Sequence, residues 1–157
     1  MNYLNKKAAY LFLCVLFLTL FSVNLFAQSN DIVDQYLLEE EASFGKTAYF
    51  VMVLSSLVPD DASIENAINA VYEQGWKIDP KASDQPVKLG ELSLMLMKSL
   101  NINGGLMYRI TKNGRYACRE LSYMGLITGD KSPYRTLSGE EALSLISRVL
   151  EWKQNNS

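Results

Sequence analysis

The sequence predicts an all-α protein built from repeated helix–loop–helix units. The first observation is that the apolar segment Val87–Leu100 (VKLGELSLMLMKSL) recurs as Leu137–Leu150 (LSGEEALSLISRVL). The second is a fainter copy upstream, Ala42–Ser55 (ASFGKTAYFVMVLS). Each copy has an apolar residue, a short polar or small run, and then apolar residues at helical spacing. A fixed spacing of this kind is typical of supersecondary units that stack on one another.

The two stronger copies are 50 positions apart. The range from Ala67 to Leu100 aligns with the range from Ala117 to Leu150 without a gap. Five identities over so long a window are few, and short amphipathic helices also resemble one another by chance. The order of features favours duplication, because each copy runs from a helix through a glycine and a polar loop to an apolar residue, a glutamate and a second helix. The identical pairs are Ala67 with Ala117, Gly75 with Gly125, Lys81 with Lys131, Glu91 with Glu141, and Leu100 with Leu150.

The copy nearest the C-terminus, together with the helix that precedes it, carries clear helix-boundary signals. Gly125 follows an apolar helical pattern directly and fits a C′ position, where the chain turns left-handed to end a helix. Ser138 and Glu141 form a capping-box pattern, and Leu137 lies where a hydrophobic staple would place it. In the second copy Lys88 replaces the capping serine, so we expect a weaker cap there.

The remaining segments fit the same plan. Asp31–Glu41 predicts a short first helix, or one that continues into the next. Lys46–Val58 is the most apolar segment after the N-terminus and predicts a central buried helix, although its β-branched residues leave a strand open. Ala62–Gln74 predicts a helix opened by the acidic pair before it. Asn-Gly within the range 106–116 allows one short strand or hairpin there.

The N-terminus has the layout of a signal peptide, predicted to cover residues 1–27. Lys6 and Lys7 precede the apolar run Ala8–Phe26, and the small residue Ala27 follows. The alternative is an uncleaved membrane anchor, because this run is long enough to span a bilayer. The sequence therefore predicts export to the periplasm or cell surface, a single domain over 28–151 and a polar tail over 152–157. Contact with a membrane is expected only if the leader is kept.

Composition excludes several classes of function. Loss of Lys6 and Lys7 takes the formal charge of −2 to −4, and no basic stripe remains, which argues against a nucleic-acid partner. The chain has no histidine, which excludes a Ser-His-Asp triad and histidine-bound zinc. Cys118 is the one cysteine after the leader and is interpreted as a buried, inert thiol. Neighbouring carboxylates such as Glu140 and Glu141 point in different directions at a helix start. We therefore predict no enzyme, no cofactor and no metal.

The repeat resembles the S-layer homology (SLH) motif. That family has a helix, a Gly-x-Ile-x-Gly turn, a loop with proline, and an apolar-Thr-Arg-Ala-Glu start to a second helix. The residues that carry the resemblance are Tyr116, Ala117, Gly125, Ile127, Gly129, Pro133, Leu137, Ser138 and Glu141. The resemblance implies three units, at about 31–58, 62–100 and 112–150, packed as a compact pseudo-threefold bundle.

The resemblance also implies a function. SLH domains attach proteins non-covalently to the cell wall, so the expected partner is a cell-wall polysaccharide or a peptidoglycan-associated polymer. The alternative partner is an envelope protein, in which case the chain is an interaction module that has lost glycan binding. The residues expected near a ligand, by resemblance or by proximity, are Gly125, Gly129, Tyr134, Arg135, Ser138, Glu141, Lys88 and Glu91.

One departure from the family bears on that function. The family's polymer-contacting arginine falls on Gly139, Leu89 and Gly45, so no copy keeps it. Glycine offers no substitute for the bidentate contact that a guanidinium makes with an acidic group. Arg135 and Tyr134 are near enough in sequence to take over this contact. The alternative is that Arg135 is a solvated loop residue.

Overall fold

A computed structural model of the protein describes residues 31–156, which contain seven helices and no strands. The all-α class is therefore confirmed, and the strand alternative for Lys46–Val58 is wrong. The leader predicted over residues 1–27 lies outside the described residues. The helices are α1 (31–37), α2 (Phe44–Leu54), α3 (Ile64–Glu73), α4 (Leu89–Ser99), α5 (Leu106–Thr111), α6 (Gly114–Tyr123) and α7 (Gly139–Asn155).

The described residues from Tyr36 onward form a compact unit with its own hydrophobic core. Helix α4 is the most buried element of this unit, with nine of its eleven residues inside. It packs against α2, α6 and α7, while α2 also packs against α3. The predicted central helix, α2, is itself largely buried. Because α4 contacts three other helices, it lies deeper than its amphipathic pattern indicates.

The helix boundaries recur at the spacing seen in the sequence. Helices α2 and α4 are both 11 residues long and start 45 positions apart, and α3 and α6 are both 10 residues long and start 50 apart. Gly125 has a φ of 75° and ends α6 as predicted. Its N–H donates to Ser122 at 3.1 Å, and the N–H of Leu126 donates to Leu121 at 2.9 Å. These two bonds form a Schellman motif.

The starts of α2, α4 and α7 are tied to loops elsewhere in the chain by backbone hydrogen bonds, which we call the backbone ring. The N–H groups of the first helical residues donate to carbonyls of a loop that precedes a different helix. The pairs are Phe44 to Gln85 (2.8 Å), Gly45 to Ser83 (2.8 Å), Leu89 to Arg135 (2.9 Å), Gly90 to Pro133 (2.9 Å) and Gly139 to Glu39 (2.9 Å). Phe44 therefore occupies the position of Leu89, and the placement of the family arginine on Gly45 is off by one residue.

The three apolar residues that precede these helices also meet. The N–H of Ala42 donates to the carbonyl of Leu137 at 2.6 Å, and the N–H of Val87 donates to the carbonyl of Ala42 at 2.8 Å. All three side chains are buried. The residue that opens each copy in the sequence is thus part of one shared cluster.

The hairpin allowed near 106–116 is wrong, because this stretch holds α5 and the start of α6. Asn113 does not form a hairpin turn; its side-chain oxygen accepts from the N–H of Tyr116 at 3.1 Å and caps α6. Gly114 then packs so closely on Gly90 that an added Cβ would lie 2.6 Å from the Gly90 carbonyl oxygen. Lys112 joins the two helices in a left-handed conformation, with φ 48° and ψ 48°.

Other boundaries differ from expectation by a few residues. Helix α1 ends at residue 37, so the shorter reading of Asp31–Glu41 holds. The cap of α3 is Ser63, whose Oγ accepts from Asn66 N–H at 3.1 Å, and the acidic pair before it lies outside the helix. Helix α7 continues to Asn155, beyond the predicted end at Leu150. Within residues 31–156, no helix has the length and apolar character needed to cross a bilayer.

Candidate functional site

A cleft of about 290 Å³ lies between the start of α7 and the segment that follows α6. Its apolar lining comes from Leu89, Ile127, Leu137 and Leu145. Its polar lining comes from Thr128, Arg135, Glu140, Glu141, Ser144 and Arg148. Two guanidinium groups and two carboxylates thus face one small apolar-floored space, which is the arrangement expected of a site for a polar ligand.

Arg135 is held in place by four hydrogen bonds. Its Nε donates to the Asp130 carbonyl at 2.8 Å, and one terminal nitrogen donates to the Thr136 carbonyl at 3.1 Å. The two terminal nitrogens also donate to the Glu141 carboxylate at 3.0 and 3.3 Å. This fork holds the pKa of Glu141 below its usual value. Arg135 is 21% exposed, so it is an ordered part of the cleft and not a freely solvated loop residue.

Arg148 lies on the next turns of α7 and was not singled out from the sequence. One of its terminal nitrogens donates to Thr128 Oγ1 at 3.3 Å. Its Nε is buried and has no hydrogen-bond partner among the described residues. A buried donor without an acceptor costs free energy, and such a group calls for an explanation. Arg148 also lines the cleft, but its Nε is closed off from the solvent that fills this space.

The predicted residues at the helix starts serve mainly as caps. Ser138 Oγ accepts from Glu141 N–H at 3.2 Å, and Glu141 accepts from Ser138 N–H at 3.3 Å, which confirms the capping box. Lys88 has no side-chain acceptor, so Glu91 alone reaches back, at 2.8 Å from Lys88 N–H. Glu91 also pairs with Lys81 Nζ at 2.8 Å. Lys88 and Glu91 do not line the cleft.

The other predicted residues lie outside the cleft as well. Gly125 and Gly129 have φ values of 75° and 74°, so both serve left-handed turns that side chains rarely adopt. Tyr134 is 69% exposed and is not among the residues that line the cleft. Of the eight residues expected near a ligand, the structure brings Arg135 and Glu141 together in the cleft. For the other six residues, a role in ligand binding stays a prediction.

A second concavity, of about 460 Å³, lies where α4 ends and α5 begins; we call it the basic pocket. It is lined by Met97, Lys98, Asn101, Ile102, Asn103, Gly104, Tyr108, Arg109 and Lys112, which include three cations and no carboxylate. Burial, together with the charges of Lys112 and Lys77, lowers the pKa of Lys98. Burial also raises the pKa of Tyr108 to about 12.

The chemistry of Cys118 matches the interpretation of an inert thiol. The side chain is buried, and its Sγ lies 3.5 Å from the Lys131 carbonyl oxygen. Burial raises its pKa, which disfavours the reactive thiolate. Among residues 31–156 no three carboxylates or thiols are grouped so that they could hold a metal ion.

Comparisons with known protein families, curated proteins and solved structures find no match for this chain. The two concavities are therefore interpreted from their own residues. The SLH resemblance remains an expectation that rests on the motif residues, chiefly Gly125, Pro133 and Glu141.

Proposed function

We propose that this chain is an exported, non-catalytic envelope protein that binds a cell-wall polymer in the cleft at the start of α7. The observation that carries the proposal is that two arginines, Arg135 and Arg148, line one small cleft with an apolar floor. Guanidinium groups bind carboxylate and phosphate oxygens through paired hydrogen bonds. Glu140, Thr128 and Ser144 add acceptors and hydroxyls suited to sugar hydroxyl groups.

The backbone ring supports an SLH-like arrangement of three units around a pseudo-threefold axis. In such an arrangement the equivalent residues Ala42, Val87 and Leu137 would meet at the axis, and Ala42 is hydrogen-bonded to both of the others. Each unit would also lend a loop to the helix start of another unit, as the bonds of Phe44, Leu89 and Gly139 do. These hydrogen bonds are independent of the sequence motifs and therefore support the resemblance separately.

The loss of the family arginine is consistent with a polymer contact that is made by arginines at other positions. Leu89 and Gly139 occupy its position in two copies, and both are buried. Gly139 has no room for a side chain, because an added Cβ would overlap the Tyr36 carbonyl. Arg135 and Arg148 reach the cleft from the loop before α7 and from a later turn of α7. We propose that these two residues take over the contact with an acidic group on the polymer.

Co-sedimentation with purified cell-wall sacculi tests this proposal. The chain used is residues 28–157, because the compact unit Tyr36–Ser157 has its own core. We expect binding to sacculi that keep their secondary polymers and loss of binding to acid-stripped sacculi. Arg148→Gln and Arg135→Gln should each weaken binding about tenfold, the loss of one charged hydrogen-bonding contact.

Arg119→Gln is the matched control, since Arg119 is exposed on α6 and contacts Tyr123 at a distance from the cleft. This variant should bind like the unmodified chain, and circular dichroism should show all three variants folded. Equal binding by the cleft variants and the control would contradict the role of the cleft. Failure of the unmodified chain to bind either preparation would contradict polymer binding itself.

The second candidate is a protein–protein interaction module of the envelope that has lost glycan binding. The observation that favours it is the absence of the family arginine at every equivalent position, including the buried Leu89 and Gly139. This candidate predicts that residues 28–157 ignore both sacculus preparations and retain one defined protein from an envelope extract. The Arg148→Gln variant should retain the same envelope protein, because in this case the cleft binds no ligand.

A further inference from the structure

The basic pocket gathers three cations that no protein group neutralises. Lys98, Arg109 and Lys112 line this concavity of about 460 Å³, and its lining includes no carboxylate. Within the described part of the chain, the side chains of these three residues form no ion pair and no hydrogen bond. Charges of one sign around a concavity focus their field and raise the local concentration of counter-ions. The pocket therefore attracts an anion.

The carbonyls at the nearby helix ends do not take up these cations. A cation near a helix C-terminus often bonds the last carbonyls, which lack partners within the helix. At the end of α4, the Met97 carbonyl accepts from the N–H of Ile102 at 2.9 Å. At the end of α5, the Thr111 carbonyl accepts from Lys77 Nζ, also at 2.9 Å. The three cations of the pocket therefore remain available to a ligand.

The cations are close enough to repel one another. Burial lowers the pKa of Lys98, and the positive charges of Lys112 and Lys77 lower it further. Lys112 also holds a left-handed conformation, with φ 48° and ψ 48°, which glycine or asparagine enters at less cost. A lysine at this position thus opposes both the local charge and the backbone preference. An anion in the pocket would offset the charge repulsion.

The rest of the lining suits a small polar molecule. Met97, Ile102 and Tyr108 are buried and give the pocket a mostly apolar surface between the cations. Asn101 and Asn103 add amide groups, which both donate and accept hydrogen bonds. The volume of the pocket is typical of small-molecule sites, which range from about 300 to 1,000 Å³.

We infer that the basic pocket binds a small, multiply charged anion, with a phosphate monoester or diphosphate group as the chemical class. Arg109 offers the guanidinium fork that matches paired phosphate oxygens, and Lys98 and Lys112 add point charges. A long polyanion would follow an extended basic stripe, whereas these charges lie around one concavity. The inference is independent of the cleft at α7, because the cleft and the pocket share no residue.

Isothermal titration calorimetry of residues 28–157 with inorganic pyrophosphate tests the inference. We expect saturable binding of one pyrophosphate per chain, at least about tenfold tighter than binding of acetate, which carries a single charge. Lys98→Gln and Arg109→Gln should each weaken pyrophosphate binding about tenfold, because each removes one charge-assisted contact. Lys112→Asn should weaken it similarly and leave the urea midpoint unchanged or higher, since asparagine tolerates the left-handed conformation. That combination separates a role in binding from a role in folding.

Lys131→Gln is the matched control, because it removes an exposed cation outside the basic pocket. It should bind pyrophosphate like the unmodified chain, and so should Arg135→Gln and Arg148→Gln, which alter the cleft at α7. Absence of saturable pyrophosphate binding would overturn the inference. Equal weakening by Lys131→Gln, or loss of binding in the cleft variants alone, would also overturn it.

A phosphate group can belong to a small molecule or to a polymer, and poly(glycerol phosphate) distinguishes the two. It should bind more weakly per phosphate group than pyrophosphate, because each of its phosphates carries a single charge. Tighter binding of the polymer would contradict a site for a small anion. The sacculus assay tests the cleft at α7, so polymer binding there and pyrophosphate binding here can fail independently of each other.

Discussion

Helices α4 and α7 begin with the same sequence pattern and end in different surroundings. Nine of the eleven residues of α4 are buried, whereas α7 buries five of its seventeen. Helix α4 packs against α2, α6 and α7, so neighbours cover it on several sides. One side of α7 remains open and forms the wall of the cleft. The comparison shows that the repeated pattern fixes where a helix starts, while its neighbours decide whether it can hold a ligand.

One pair of equivalent positions captures this difference. Leu94 of α4 is 1% exposed, and Ser144, 50 positions later on α7, is exposed and lines the cleft. A leucine suits the first site because helices cover it, and a serine suits the second because solvent or a ligand reaches it. On this side α7 carries mostly polar residues, which suit a surface that solvent reaches.

Exchanging these two residues should give the largest effect. Leu94→Ser should lower the free energy of unfolding by about 3 kcal/mol or more, since it leaves a cavity and buries a hydroxyl. Ser144→Leu should change it by less than about 0.5 kcal/mol, because the site is on the surface. The second variant should nevertheless block the cleft and reduce binding to sacculi. Urea unfolding followed by circular dichroism measures both, and similar losses from the two substitutions would refute the comparison.

The ion pairs at the two helix starts should give an intermediate effect. Arg135→Ala removes the fork to Glu141 and bonds to two loop carbonyls, and should cost about 1 to 2 kcal/mol at neutral pH. Lys81→Ala removes one bond each to Glu91 and to the Pro86 carbonyl, and should cost about 1 kcal/mol. Urea midpoints at pH 7 compare them. A larger loss in Lys81→Ala would reverse the expected order.

The pH dependence of stability should follow the Arg135 pair. Because the pKa of Glu141 is lowered in the folded protein, its contribution is present at neutral pH and is lost as the pH falls through that lowered value, below the usual 4.5. The stability difference between the unmodified chain and Arg135→Ala should therefore shrink as the pH is lowered. Urea titrations from pH 7 into the acid range test this, and a constant difference would show that the pair carries no linkage.

The caps should give the smallest effect. Ser138→Ala should cost about 1 kcal/mol, because it removes the acceptor of the Glu141 N–H. Lys88→Ser should gain about 0.5 to 1 kcal/mol, because it supplies at α4 the acceptor that α7 already has. Lys88→Ala is the control and should change little. Thermal unfolding of the three variants measures the difference, and no gain from Lys88→Ser would show that the α4 start is satisfied without a side-chain cap.

The features that could be predicted from the sequence are helix boundaries, which are determined by residues close together in the chain. Gly125 ends α6 because glycine reaches the left-handed region, and Ser138 with Glu141 opens α7 because both partners lie within one turn. Asn113 was ambiguous, since Asn-Gly suits a hairpin and asparagine also suits a helix cap. The close contact between Gly114 and Gly90 favours the helix, and that contact depends on residues distant in sequence.

The residues that line the cleft and the basic pocket were harder to predict because they come from separate parts of the fold. Arg135 was singled out by its place before the helix, whereas Arg148 lies among the apolar residues of α7 and was not singled out. Which face of α7 is open depends on how α4 packs against it. Lys98 and Lys112 lie on either side of the 101–105 turn, a spacing that marks a shared pocket only once α5 is known to be a helix.

The backbone ring also sets an order of events during synthesis. Its last bond joins Gly139 to Glu39, 100 residues apart, and Ala42 pairs with Leu137 across a similar separation. Contacts of this range are slow to form, because a long loop has to close before they stabilise anything. Glu39 and Ala42, which precede α2, therefore lack these partners until the start of α7 has left the ribosome. The contacts of α2 with α3 and α4 can form earlier, so closure of the ring is the step that waits for α7.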